Sequence, residues 1–316
     1  MSQEPTAPSP LGGLVLTLGA WALMMFVFAV LAPSAGGTLG LALGCTLGFG
    51  AVGTLAARSV PAPADQRLGL RGFRPAWLGA VLLLLPAVVL VSEIDNRVAA
   101  ALGRADATTL RGESPTDPAP GGVTFPEAAD DDAGPAGEAP PAPRAGPTPA
   151  DPLGALGVLG TLEWVLFAAL LRPVLEEFFF RGVVQQGMVG QLGAAPGLLV
   201  TALLFAAVRA SLGLGSPTLM SSLGAQALAE GLLCGLLRLA TGSILPSILL
   251  QAGMAGLGVL ALVAAAALAI PGFNATGAHT PAAWLFPCAL SVAAGVAWLG
   301  RAAVHPALEP EEKDHV

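Results

Sequence analysis

The sequence predicts an all-α fold, a polytopic membrane helix bundle of about eight transmembrane helices. Three observations carry this prediction. Of 316 residues, 54% are hydrophobic and only 11% are charged, where a soluble domain is nearer ~25% charged. Mean hydropathy is +0.73. Between Arg238 and Arg301, 62 consecutive residues pass without an Asp, Glu, Lys or Arg, too many for one helix. The same numbers exclude a soluble enzyme. They also exclude a nucleic-acid partner, because 14 basic residues face 21 acids, net charge −7, and no basic patch of the needed size exists.

Each span follows from an uncharged run, since about 20 apolar residues cross the hydrocarbon. Residues 11–32 form the first; it lacks a basic leader and is too long for a signal peptide, so it reads as a retained span. A second run ends at Arg58, and a third lies between Arg74 and Glu93. The stretch 93–152 then changes character. It holds 11 acids and four Arg and is rich in Pro, Ala and Gly, as in Asp130-Asp131-Asp132 and Pro140-Pro141. That composition buries too little apolar surface to offset chain ordering and reads as a disordered, solvated tether. Apolar character resumes at 153–172, the fourth span, which runs into a polar cluster at 172–181. The fifth covers 193–212 and the sixth 218–239. The breakers from Pro271-Gly272 to Pro281 divide the long uncharged run into spans near 242–269 and 282–301.

The domain plan is three N-terminal spans (1–92), the acidic insert (93–152), a membrane core (153–303) and a short tail (304–316). Arg58, Arg67, Arg71 and Arg74 place the loop between the second and third spans in the cytoplasm of an inner (plasma) membrane. With eight spans both termini are then cytoplasmic and the insert lies outside. Cys45, Cys234 and Cys288 sit in apolar runs and read as buried free thiols, and without a CxxC pair no thiolate metal site is expected.

Ionisable groups inside spans are costly and mark function. The densest set is Arg172-Pro-Val-Leu-Glu176-Glu177-Phe-Phe-Phe-Arg181-Gly182, with Arg209, Glu230, Arg238 and Gln251 in later spans. On a helix Glu177 and Arg181 share a face and pair. Glu176 points about 100° away, which leaves it a free carboxylate able to activate water or bind a metal. Pro173 is expected to kink the chain ahead of it. The plainer alternative is a helix end at the membrane surface with solvated ion pairs. Glu230 and Arg238 read as an interhelical pair or a snorkelling end. Glu163, mid-span, faces either the cavity or the 238–251 segment. Gln185, Gln186 and Gln191 read as interfacial caps, the five Trp as anchors or packing, and the glycines from Gly253 to Gly258 as a helix-packing surface. Asn274-Ala-Thr276 is a formal glycosylation sequon, meaningful only in a eukaryotic secretory setting.

The first of these blocks resembles the EExxxR motif of the CAAX-protease and bacteriocin-processing (CPBP, or Abi) family of intramembrane endopeptidases. The family's FxxxH motif finds its frame in Phe205-Ala-Ala-Val-Arg209, with Arg209 at the histidine position. Its TGSLxxxIxxH and HxxxN/D block finds its frame in Thr241-Gly242-Ser243-Ile244 through Gln251 and Ala255, with Gln251 replacing the His and Ala255 the Asn or Asp. The resemblance covers roughly residues 155–265. It implies an all-helical core of about eight spans. It also implies Glu176 as the water-activating base, Glu177 and Arg181 as its motif companions, and membrane-associated or prenylated peptides as substrates.

The only histidines, His279, His305 and His315, stand outside the motif positions, and Arg209 cannot ligate zinc. No cofactor is expected. One reading is therefore a catalytically impaired protein acting as a membrane scaffold or peptide-binding module, with an ion-pair latch between Glu176 and Arg209. The other is an active endopeptidase in which Glu176 works with Arg209 and Gln251 as oxyanion donors. A transporter fits less well, since no pair of broken helices repeats in the two halves. Beyond such peptides, the expected partner is the lipid bilayer.

Overall fold

A computed structural model describes residues 8–112, 157–265, 267–275 and 277–304. Among these residues the chain is helical and contains no strand. Most of the proposed acidic tether, including Asp130-Asp131-Asp132, lies outside the described residues, as do His305 and His315.

Helix α1 (Pro10–Ala35) opens with a Ser9 cap whose hydroxyl accepts from the Gly12 N–H, and Pro10 occupies the first turn where no N–H is needed. Helix α2 (Gly37–Ala57) folds back along it after Gly36, which has φ +88°. Gly40, Gly44 and Gly48 of α2, four residues apart, approach α1 so closely that a Cβ on Gly48 would stand 2.9 Å from Met24 Cβ. Without a hydrophobic drive between helices in lipid, such small-residue contacts hold spans together. This stripe, rather than the Gly253–Gly258 segment, is the tight glycine packing. Gly253 does press on Leu85, but Gly256 and Gly258 meet nothing within 4 Å.

A short helix α3 (Ala64–Leu68) lies in the basic loop. Helices α4 (Trp77–Leu84) and α5 (Ala87–Gly112) are joined by a single turn and provide the third span, Trp77–Leu102. The third span therefore does not stop at Glu93, where the sequence placed the insert boundary. Glu93 is buried, accepts from the Thr280 N–H (2.9 Å) and Asn96, and has His279 Nδ1 at 3.1 Å from its other oxygen. Local charge suggested a loop, but distant partners satisfy the carboxylate and the helix continues. Asn96 and Ser92 also donate to the Gly272 carbonyl, fastening the 270–281 loop to α5. The Asn274 amide is fully engaged, accepting from the Ile270 N–H and donating to the Ala261 and Leu268 carbonyls, so the sequon asparagine serves the loop itself.

Helix α6 runs unbroken over residues 157–192 and contains two π-helical turns, Phe167–Leu171 and Phe178–Val184. Helices α7 (Ala194–Ala210), α8 (Pro217–Thr241), α9 (Leu245–Ala264) and α10 (Ala282–Val304) complete the bundle. Seven described helices are long and apolar enough to cross a membrane. The remaining expected crossing is α6, which carries Glu163, Arg172, Glu176, Glu177 and Arg181 and is not among those seven.

The outward faces are apolar: Phe26, Val15, Leu82 and Phe286 are 60–73% exposed. Large apolar side chains covering several helices mark a lipid-facing surface. The chain is thus a multi-pass membrane protein in contact with the bilayer. Its core packs Phe49, Phe179, Phe180 and Phe205 in one cluster, and Leu84, Leu237, Leu250 and Leu299 in a second. Cys45 and Cys234 are buried, whereas Cys288 is only half-buried, because α10 turns that face outward.

Candidate functional site

The polar cluster is buried mid-helix, not solvated at a membrane surface. Two features of α6 put it there. Pro173 lacks an N–H to continue the ladder, and the wide turn Phe167–Leu171 falls immediately before Arg172-Pro173. The expected disturbance at Pro173 thus takes the form of a π turn, a common feature of functional helices. The second π turn, Phe178–Val184, stacks Phe179 and Phe180 inward against Phe49 and Phe205, with ring centroids 5.1–5.6 Å apart. Those rings seal one side of the cluster.

Glu177 is held by Arg181, Nη1 to Oε1 2.9 Å, with both side chains fully buried. Arg181 also donates from Nη2 to the Gly231 carbonyl of α8 at 3.2 Å. Gln251 of α9 donates from Nε2 to the same Glu177 oxygen at 2.8 Å. Glu176 faces elsewhere, as the helical geometry requires, but it is not free. Arg209 of α7 donates from Nη2 to Glu176 Oε2 at 3.0 Å, and Arg172 Nε lies 4.0 Å from that oxygen. Arg209 Nη2 also stands 3.7 Å from Glu230 of α8. Glu230 therefore pairs with Arg209 and not with Arg238, whose Nη2 donates instead to the Arg67 carbonyl.

The cluster is electrically balanced, with Arg172, Arg181 and Arg209 opposing Glu176, Glu177 and Glu230. That balance is what makes six ionisable side chains tolerable in a membrane interior. Phe205 lies between two of the cations. Arg181 Cζ sits 4.5 Å from its ring centre and Arg209 Cζ 5.1 Å, both within cation–π range.

The third block acts as a brace. Gly242, at φ +68°, ends α8 in the left-handed conformation that glycine adopts freely. Ser243 Oγ donates to the Arg71 carbonyl and Ser247 Oγ to the Cys234 carbonyl. Pro246 sits in the first turn of α9. These contacts fix the register of α9 and deliver Gln251 to Glu177. Ala255, one turn further on, offers only a methyl group. Gln185, expected at the interface, is buried and donates to the Gly235 carbonyl at 3.0 Å. Sequence reasoning underrated Glu230 and Gln185. The available signal was the pair of small residues Gly231 and Gly235, which let α8 pack closely against Ala202, Phe205 and Leu198 of α7 and whose carbonyls accept from Arg181 and Gln185 of α6.

The structure thus brings together Glu176, Glu177, Arg181, Phe205, Arg209 and Gln251 from three separate segments, and adds Arg172 and Glu230. A divalent metal does not fit this donor set. A guanidinium already faces each carboxylate, the imidazole positions hold Arg209 and Gln251, and no group of three His, Cys, Asp or Glu suited to a metal occurs among the described residues. Glu177 Oε2 and Gln251 Oε1 remain buried acceptors with no hydrogen-bond partner among the described residues.

Residues 159–257 match the family model described as Type II CAAX prenyl endopeptidase Rce1-like. The match spans all three motif blocks, and the resemblance they carry holds over that segment. No curated protein matches the chain, and no solved structure does.

Proposed function

We propose that this integral membrane protein, CAAX-protease-like over residues 159–257, keeps the shape of the hydrolytic centre but is catalytically impaired, and binds membrane-associated or lipidated peptides as a scaffold. The observation that carries the reading is the Arg209 guanidinium 3.0 Å from the Glu176 carboxylate. A general base needs an available lone pair within reach of the water it activates. Oε2 of Glu176 is taken up by the Arg209 guanidinium at 3.0 Å, with Arg172 Nε 4.0 Å from the same oxygen. Gln251 holds Glu177 in the same way but cannot shuttle protons as an imidazole does. Loss of general acid–base help removes about 10²–10⁴-fold in rate.

The test is cleavage of a prenylated tail peptide by the full chain in detergent, with Glu176→Ala as control. The expected result is no Glu176-dependent cleavage, together with retention of the peptide in a pull-down. Cleavage that Glu176→Ala abolishes would overturn the proposal in favour of a working endopeptidase. Arg209→His combined with Gln251→His is expected to raise hydrolysis above the parent.

A further inference from the structure

We propose a binding site for the phosphate headgroup of an anionic lipid on the face of the bundle that carries the basic loop, centred on Arg71 and Arg238 and bordered on one side by Arg181 of the buried acid cluster. Two adjoining cavities of about 300 and 340 Å³ open there and share Gln66, Arg67 and Arg238. Arg181 and Gln185 border the first and Arg71 and Gly242 the second, and among the described residues no Asp or Glu lines either.

Two arginines carry the argument. Arg238, in the last turn of α8, lies over Gly69: a Cβ there would be 2.7 Å from its Cζ. Arg71 lies over Gly242 in the corresponding way, a Cβ there falling 2.5 Å from Nη2. The two guanidiniums are therefore laid across the same joint between the basic loop and the α8–α9 turn. That joint is rigid, held by Ile244 N–H to the Gly69 carbonyl (3.0 Å) and Ser243 Oγ to the Arg71 carbonyl (2.7 Å). Among the described residues neither guanidinium has a carboxylate within 4.0 Å, and Arg238 Nε is buried with no hydrogen-bond partner. Asp65 is near in sequence but lines neither cavity. The Arg67 carbonyl and the end of α8 offset only part of the charge on Arg238.

Convergent guanidiniums with no carboxylate within 4.0 Å among the described residues are complementary to a phosphate, which accepts several charge-assisted hydrogen bonds at once. The location favours a lipid as its source. The cavities lie beside the basic loop, where the apolar spans Pro217–Thr241 and Leu245–Ala264 meet, and basic pockets between spans bind such groups. Val189 and Leu239 add apolar wall to the first cavity, suited to the glycerol and upper acyl carbons.

The full chain, purified in detergent, is titrated with dipalmitoyl phosphatidylglycerol or dipalmitoyl phosphatidylcholine, and retained lipid is counted by native mass spectrometry. The expected result is retention of phosphatidylglycerol but not phosphatidylcholine, weakened about fivefold by Arg71→Gln and unchanged by Arg74→Gln on the same loop. Arg71 is exposed and its backbone supplies the structural contact, so this variant keeps the fold. Arg238→Lys, which keeps the charge but loses the fork, is expected to weaken retention as well. Equal retention of the two lipids, or an unaltered Arg71→Gln variant, would overturn the site. Displacement of phosphatidylglycerol by equimolar inorganic phosphate would overturn the lipid source and assign the site to a soluble phosphate. Retention is read without any cleavage assay, so its outcome is independent of the reading of the acid cluster.

Discussion

A guanidinium 3.0 Å from Glu176 makes that carboxylate part of a charge network. The network is buried, so the two charges depend on each other far more than a surface pair does. Removing Arg209 alone leaves Glu176 and Glu230 short of a cation. Arg209→Gln is expected to destabilise the protein by about 3–5 kcal/mol. Adding Glu176→Gln to it should recover much of that loss, with a coupling of about 0.5–3 kcal/mol between the two sites. Reversible unfolding of the four chains of this cycle in mixed detergent measures the coupling, and additive losses would show that the pair is not formed. Phe205 belongs to the same unit, since both Arg181 and Arg209 lie against its ring.

Elements bring these side chains together through two devices that simple periodicity misses. One is the pair of π turns in α6. At 100° per residue the sequence shows that Glu176 and Glu177 face apart and that Glu177 meets Arg181. It does not show that the helix widens on either side of them and draws Phe179 and Phe180 inward. The other is the glycine stripe of α2, where Gly44 and Gly48 let α1 come within backbone contact. Overpacking there has nowhere to relax. Gly48→Val is expected to destabilise by about 1–3 kcal/mol. Gly256→Val on α9, where a Cβ meets nothing within 4 Å, should stay within about 0.5 kcal/mol of the parent. Thermal unfolding in detergent distinguishes them, and equal losses would place the α1–α2 contact elsewhere.

For the whole molecule, the apolar runs read from the sequence correspond to helices of the structure, because a span must satisfy its own backbone and an uncharged stretch of the right length has little alternative. Two boundaries were not legible. The third span continues past Glu93 because Thr280, Asn96 and His279 come to meet the carboxylate, and they lie in distant or unforeseen positions. The polar segment read as the end of the fourth span is the middle of α6. Whether α6 crosses the membrane decides the orientation of the C-terminus. Cysteine labelling of the intact chain checks this: with eight crossings, probes at Gln66 and after Arg301 react from the same side, and a probe at His279 from the other. Labelling of Gln66 and the C-terminal probe from opposite sides would leave α6 as a non-crossing helix.

The sequence by itself determined the membrane class, the apolar spans and the motif frame with its substituted positions, because hydropathy and spacing are local properties of the chain. Only the tertiary structure decided how the expected pairs join into one network. Arg209 reaches Glu176 across 33 residues and Gln251 reaches Glu177 across 74, and such pairings depend on how α7, α8 and α9 pack against α6. In a low-dielectric interior each carboxylate must find a partner; spacing and the motif frame point to Arg181 for Glu177 and Arg209 for Glu176, but only the packing adds Gln251 to Glu177 and Glu230 to Arg209.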